Sequence, residues 1–154
     1  MQTTNLVNEK NVILHLKAKN QRDAVVEIVK ILVRNGYVKD ESEFVRDVLD
    51  REKFTTTGIG NGIAIPHGKS KGVIQSTVIF ARSDYGIDWN SLDDKPVYNI
   101  FLMAINSNDE ADVHLHQLAR LSEKMMDDNF VKAFEAGNNV PDLVKILNGE
   151  KDKA

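Results

Sequence analysis

Apolar positions recur along this chain with two different periods. "NVILHL" (Asn11 to Leu16) is a short apolar run that predicts a first strand. In "KNQRDAVVEIVKILVRNG", Val25, Ile28, Val29 and Leu32 fall three and four apart and line one face of a helix. Asn20 is placed to cap that helix, with Asp23 three residues on in a box-like position, and Gly36 to end it. Phe44, Val45, Val48 and Leu49 form the stripe of a second helix over "DESEFVRDVLDREK", capped by Asp40 or Ser42. Ile63 to Ile65 reads as a short strand that stops before Pro66, because the residue preceding a proline is pushed into extended geometry. "STVIFARS" and "VYNIFLMAI" are further strands. The second is apolar almost throughout, as a central strand covered on both faces would be. Between them "DYGIDWNSLDDKP" is turn-rich. A third helix is predicted over Asp112 to Met126. A fourth is predicted in "NNVPDLVKILNGE", with Pro141 in its first turn. Helices and strands alternate without a repeated unit. The expected fold class is therefore α/β: a single domain with a mixed β-sheet flanked by helices on both sides.

Composition narrows the picture. The chain has 154 residues, 42% hydrophobic and 28% charged, which fits one domain over 1–154, with a core of about 6–149 and a frayed tail at 150–154. It has no cysteine, which excludes disulfides, thiolate metal ligands and thiol catalysis. The net charge of -3 comes without a basic block, so nucleic acid is not an expected partner. No run of 18 apolar residues is present and the first residues do not read as a secretory signal, so no membrane insertion and a cytoplasmic location are expected.

The chemistry concentrates in "GIGNGIAIPHGKS" (Gly58 to Ser70), where four glycines crowd one histidine. This is not a nucleotide loop. A phosphate loop needs a glycine five residues before Gly68, and Ile63 stands there. Pro66 also removes an amide that could have faced a phosphate. Two readings stay open on the residues alone. In one the glycines serve only chain reversal. In the other His67 stands on a rigid element, with Pro66 immobilising the chain before it and small residues leaving room around the ring.

The remaining histidines separate by position. His15 lies in a predicted strand with no polar cluster and reads as a surface or half-buried residue. His114 and His116 are two apart, about 200° on a helix, and point to nearly opposite sides. That spacing is poor for chelation, which wants about four residues on one helix. His114 continues through Leu118, Leu121 and Met125 as an inward-facing stripe, whereas His116 falls on the polar side. His114 is either a satisfied histidine at the edge of the core or a polar group delivered to a site. A pair of imidazoles at His67 and His114 would suit a phosphoryl group, one attacking and one donating a hydrogen bond. Neither a metal nor a cofactor is expected.

"REKFTTTGIGNGIAIPHG" (Arg51 to Gly68) resembles the active-site signature of enzyme IIA domains of the fructose/mannitol class in the phosphoenolpyruvate-dependent sugar phosphotransferase system. "LDDKPVYNIFLMAI" resembles the family's central strand region, and "HLHQLARLSEKMMDDNF" its following helix. The resemblance implies that His67 carries the phosphoryl group, that His114 is the second active-site histidine and that Arg51 is the arginine preceding the signature. It implies a donor, the phosphorylated histidine-containing phosphocarrier protein, and an acceptor, a sugar-specific enzyme IIB, with the membrane enzyme IIC beyond it. The expected function is sugar uptake, since "IDWNSLDDKP" stands closer to sugar-pathway members. The alternative is the nitrogen-regulatory paralogue, which shares "TGIGNGIAIPHG" and controls partner proteins by its phosphorylation state. Arg51 and His114 would stabilise the equatorial oxygens during transfer, while a backbone carbonyl would fix the tautomer of His67. A shallow site with an apolar patch around His67 would admit both partners.

Overall fold

The computed structural model describes residues 8–109, 116, 119–120 and 122–147. A 3-10 turn, Glu9–Asn11, leads into β1 (Val12–Leu16), α1 (Gln21–Arg34) and α2 (Glu41–Phe54). Three short strands follow: β2 (Gly58–Gly60), β3 (Ile63–Ala64) and β4 (His67–Ser70). Then come β5 (Thr77–Ile87), β6 (Val97–Asn106), α3 (Asp128–Ala136) and α4 (Val140–Leu147).

Both early helices form where their caps and apolar faces put them. The Asn20 side chain accepts from the Asp23 backbone N–H at 2.8 Å, a cap that contributes about 1 kcal/mol. Asp23 takes its hydrogen bond from the Asn20 side-chain amide, in place of the backbone N–H that a full capping box would use. At the other end Tyr37 N–H reaches back to Leu32 O and Gly36 N–H to Val33 O, with Gly36 at φ +85°. This Schellman arrangement closes α1 with its left-handed residue. Of the two cap candidates for α2, Asp40 is the one used, accepting from Glu43 N–H at 3.1 Å.

Among the described residues the strands form one mixed sheet in the order β1-β5-β6-β3-β2. The β1–β5 pair is parallel, β5–β6 antiparallel and β3–β2 antiparallel. β3 and β4 both run parallel to β6, Ile63 and Ala64 beside Asn99 and Ile100, and His67 to Ser70 beside Met103 to Asn106. They are two pieces of one line along β6, broken at Ile65 and Pro66, and Met103 N–H donates to Pro66 O across the break at 3.0 Å. Proline lacks the amide that an unbroken strand would need.

Alternation in β5 and β6 sorts the core into two layers. Ile79, Ala81, Ile100, Leu102 and Ala104 pack with α1 and α2 on one face. Val78, Phe80, Phe101 and Met103 pack with Met125, α3 and α4 on the other. The second layer holds an aromatic trio: Phe80 lies 4.9 Å from Phe101 and 5.1 Å from Phe134 between ring centroids. Each ring contributes roughly 1.5–3 kcal/mol by burial. Arg82 locks this layer, donating to Phe134 O at 3.0 Å and Gly137 O at 2.7 Å at the C-terminal end of α3.

Several sequence expectations change here. "HGKS" is a strand and "GIG" another; of the two open readings, a turn-rich connection or His67 on a rigid element, the residues form strands. Strand β5 extends through Asp84 and Tyr85 to Ile87, into the segment expected to be turns. Helix α3 was not expected at all; Asp127 caps it and Phe130 and Phe134, four apart, begin its buried face. Of the predicted helix over 112–126, residues 116, 119–120 and 122–125 are helical and Met125 is buried. His114, Leu118 and Leu121 lie outside the described residues, as does the tail at 150–154.

The close approach of α2 to β4 predicts a cost for any side chain at residue 68. A Cβ on Gly68 would stand 2.7 Å from Phe44 Cε1 and 2.9 Å from Val48 Cγ2. Gly68→Ala should destabilise the fold by roughly 1–3 kcal/mol through overpacking. Urea unfolding checks this, and an unchanged midpoint would contradict the packing.

Candidate active site

The glycine-rich segment first makes a hairpin. Gly58 pairs with Ala64 and Gly60 with Ile63, leaving Asn61 and Gly62 as a two-residue turn. Both turn residues have positive φ, +58° and +76°, the combination that a type I′ turn requires and that Asn-Gly supplies. The hairpin returns the chain along β6, past Pro66, and delivers His67 as the first residue of β4. Its ring therefore projects from a hydrogen-bonded strand against the central strand of the sheet.

The two nitrogens of that ring differ. Nδ1 is buried and has no hydrogen-bond partner among the described residues, and His67 as a whole is half-buried. Nε2 is not among the buried unpartnered atoms and forms no hydrogen bond among the described residues, so it is the less enclosed of the two. Burial pushes the ring's pKa below its ordinary 6.5, and the positive charge of Arg51 pushes the same way. The Ile65 carbonyl, Glu52 and Asp47 oppose these, without reversing the direction. The Ile65 carbonyl thus favours the protonated ring, yet lies outside hydrogen-bond geometry with Nδ1. The net direction favours the uncharged ring at neutral pH.

Arg51 comes from the last turn of α2, where its charge also suits the helix dipole. Its Nε donates to Asp47 Oδ2 at 3.1 Å, one helical turn back. The Arg51 side chain is 41% exposed, and Nη1 and Nη2 form no hydrogen bond among the described residues. It is a fork of donors next to the imidazole and accessible from solvent. Asp47 Oδ2 also accepts from the backbone N–H of Lys69 at 2.8 Å.

A second network braces the approach to His67. Glu52 accepts from Thr57 N–H at 3.0 Å and from the Thr57 hydroxyl. Trp89 Nε1–H donates to the same hydroxyl oxygen at 3.0 Å, and Ile65 N–H to Thr57 O at 3.0 Å. Trp89 is 1% exposed, so Thr57 is held between a core indole and a carboxylate.

Arg51 thus stands within electrostatic range of His67, and His114 lies outside the described residues. His15 is exposed on β1 beside Asp84, and His116 is exposed. Sequence reasoning missed Asp47, Glu52 and Thr57. Asp47 was legible as the residue four before Arg51 on the same helix face. The Asn-Gly pair was likewise a hairpin signal. Among the described residues no group of three or more His, Cys, Asp or Glu is placed to hold a metal ion, and no helix is long and apolar enough to cross a membrane.

Comparison with known proteins places this geometry. The family model for "Phosphoenolpyruvate-dependent sugar phosphotransferase system, EIIA 2" matches residues 5–150. The chain belongs to this family. It is 32% identical over 148 residues to the PTS system fructose-specific EIIABC component of Bacillus subtilis, covering 96% of this chain and 23% of that protein. The chain thus spans about a quarter of that relative's length. It is also 32% identical over 148 residues to the nitrogen regulatory protein of Bradyrhizobium diazoefficiens, covering 96% of this chain and 95% of that one. The crystal structure of the nitrogen regulatory protein IIA-Ntr from Neisseria meningitidis superposes with a TM-score of 0.85 at 25% identity, over 92% of this chain and 96% of that chain. As a type-2 EIIA domain the chain is a phosphohistidine-carrying phosphotransferase component, closely related to the nitrogen-regulatory paralogue.

The charges around His67 fix the sign of two pH effects. The unfolded ring takes up a proton before the folded one does, so stability is lost as pH falls from about 6.5 through the folded pKa. His67→Gln should remove that part of the pH dependence, read from thermal unfolding between pH 7.5 and 5. Arg51→Gln removes a charge that lowers the pKa, so the His67 ring should titrate at higher pH than in the wild type by NMR. A titration unmoved or shifted downward would contradict the contact.

Proposed function

We propose that this EIIA domain carries its phosphoryl group on His67 Nε2. The observation that carries the reading is the asymmetry of the ring: one nitrogen buried, the other less enclosed, with an arginine whose charge acts on the ring. The lone pair of neutral His67 Nε2 forms the new N–P bond as the donor's N–P bond breaks. The electron pair of the broken bond returns to the donor imidazole, and the His67 proton stays on Nδ1. The step asks the protein for alignment and for donors to the equatorial oxygens. Arg51 supplies such donors through its free Nη atoms. His114 is proposed, from the family resemblance, as the second donor.

The donor in this reading is the phosphorylated histidine-containing phosphocarrier protein. A half-buried imidazole at the start of a strand is within reach of another protein's side chain. Phe54, three residues beyond Arg51, is 90% exposed and offers apolar surface for docking.

For the acceptor, the regulatory reading is favoured over sugar uptake. The likeness to nitrogen regulatory proteins runs nearly end to end in both chains and extends to the fold. The fructose-specific relative is equally identical, but there the match is one part of a much longer protein. In this reading the domain holds its phosphoryl group as a signal, and the charge at His67 decides which partner surface it presents.

Labelled phosphoenolpyruvate with enzyme I and the phosphocarrier tests the carrier. The wild type should be labelled and His67→Ala should fold and stay unlabelled; wild-type labelling of that variant would sink the assignment. His114→Ala should still be labelled, about 10²–10³-fold more slowly, the cost of one lost transition-state donor. Labelled protein should then keep its phosphoryl group when mixed with the EIIB proteins of its own genome. Rapid drainage to one of them would establish the transport reading instead.

A further inference from the structure

Asp47 has two partners that tie together different parts of the site. Its Oδ2 accepts from Arg51 Nε at 3.1 Å and from the Lys69 backbone N–H at 2.8 Å. Arg51 lies on α2, whereas Lys69 lies on β4, two residues beyond His67. An exposed ion pair one turn apart on a helix does little by itself. Here the carboxylate is also anchored to a strand, through a hydrogen bond to a charged acceptor. It is only 30% exposed, and Gly68 keeps α2 near enough to β4 for the bond to form.

We propose that Asp47 is a positioning residue for phosphoryl transfer, one carboxylate oxygen holding the Arg51 guanidinium against the strand that carries His67. The inference rests on the reading of His67 as acceptor and Arg51 as its partner. Asp47 takes only Nε, which leaves the Nη1 and Nη2 fork for the phosphoryl oxygens. Without the carboxylate Arg51 is a long flexible side chain at the end of a helix, and the rotamers that Asp47 excludes are restored. Asp47 touches neither donor nor phosphoryl group in this scheme. Its removal therefore acts on the transition state and slows both directions of transfer by one factor.

The test measures single-turnover transfer from the phosphocarrier and back to it, for wild type, Asp47→Asn, Arg51→Gln and the double variant. Asparagine keeps an acceptor for Lys69 N–H but loses the charge that holds Arg51; Asp47→Ser serves in its place if the first variant does not fold, as read from thermal unfolding. Asp47→Asn should slow transfer about 10–100-fold in both directions, the size expected when a positioned group drifts by an ångström or less. The double variant should be no slower than Arg51→Gln alone, since a residue acting through another adds nothing once that one is gone. A merely structural role would leave the two penalties multiplying. Wild-type rates in Asp47→Asn, wild-type rates in Arg51→Gln, multiplying penalties, or slowing in one direction only would each overturn the proposal. His67→Gln, run alongside, separates the two levels: its labelling at the wild-type rate would remove the underlying reading, whatever Asp47 does.

Discussion

The distance between α2 and β4 is set by the absence of a side chain at residue 68. Phe44, Val48 and Asp47 occupy the space where a Cβ would stand. Because the helix can settle there, Asp47 reaches the edge of β4 at Lys69 and Glu43 reaches Ser70 Oγ at 2.8 Å. Asp47 thus satisfies a strand amide that would otherwise be open to another chain, and Glu43, one turn earlier, holds the Ser70 hydroxyl beside it. The same helix carries Arg51, whose charge acts on His67. Core packing, edge protection and site geometry depend on one helix-to-strand approach, so the glycine after the histidine serves the helix behind the strand and leaves no role for a nucleotide loop.

The second constraint is electrostatic. A histidine that accepts a phosphoryl group must be uncharged beforehand and must sit among positive donors afterwards. Burial and Arg51 meet the first need by lowering the ring's pKa, and in the proposed scheme Arg51 would meet the second. Glu52 and Asp47 work against the first need. Their carboxylates are nevertheless engaged elsewhere: Glu52 with Thr57, Asp47 with Arg51 and Lys69. Each is fixed by donors of its own, so the negative charge near the ring is the consequence of bracing the elements that hold it. The balance remains on the neutral side.

The sequence made the framework legible where periodicity was strong. The apolar faces of α1 and α2, the run that became β6 and the two-sided core all follow from spacing and alternation. His67 and Arg51 were named through their signature, and the charge of Arg51 acts on the His67 ring. Strand β3 was legible as the short run before Pro66, whereas β4 was not, because its four residues owe their existence to β6, where His67 pairs with the distant Met103. No local propensity encodes that. The β3–β4 break was half legible: Pro66 announced an end to one strand but not the start of another on the same line. Helix α3 escaped for a different reason, since nine residues give barely two turns of pattern, and the aromatic trio that makes its face decisive is assembled from β5 and β6. Asp47 escaped because its partner on β4 is a backbone amide, which leaves no mark on the residue pattern.

A phosphoryl carrier is limited as much by release as by capture. Were Arg51 free to close fully around the phosphohistidine, the product would be stabilised more than the transition state and transfer onward would suffer. With Nε committed to Asp47, the guanidinium is held at one position while its outer donors face solvent. In the proposed scheme an arginine held in place would suit the pentacoordinate arrangement, where the oxygens spread equatorially, better than the phosphoryl group on either imidazole. That favours passage in both directions. The same property suits a regulatory member, whose phosphorylation level must track the donor pool reversibly, and it follows from one shared carboxylate oxygen between a helix and a strand.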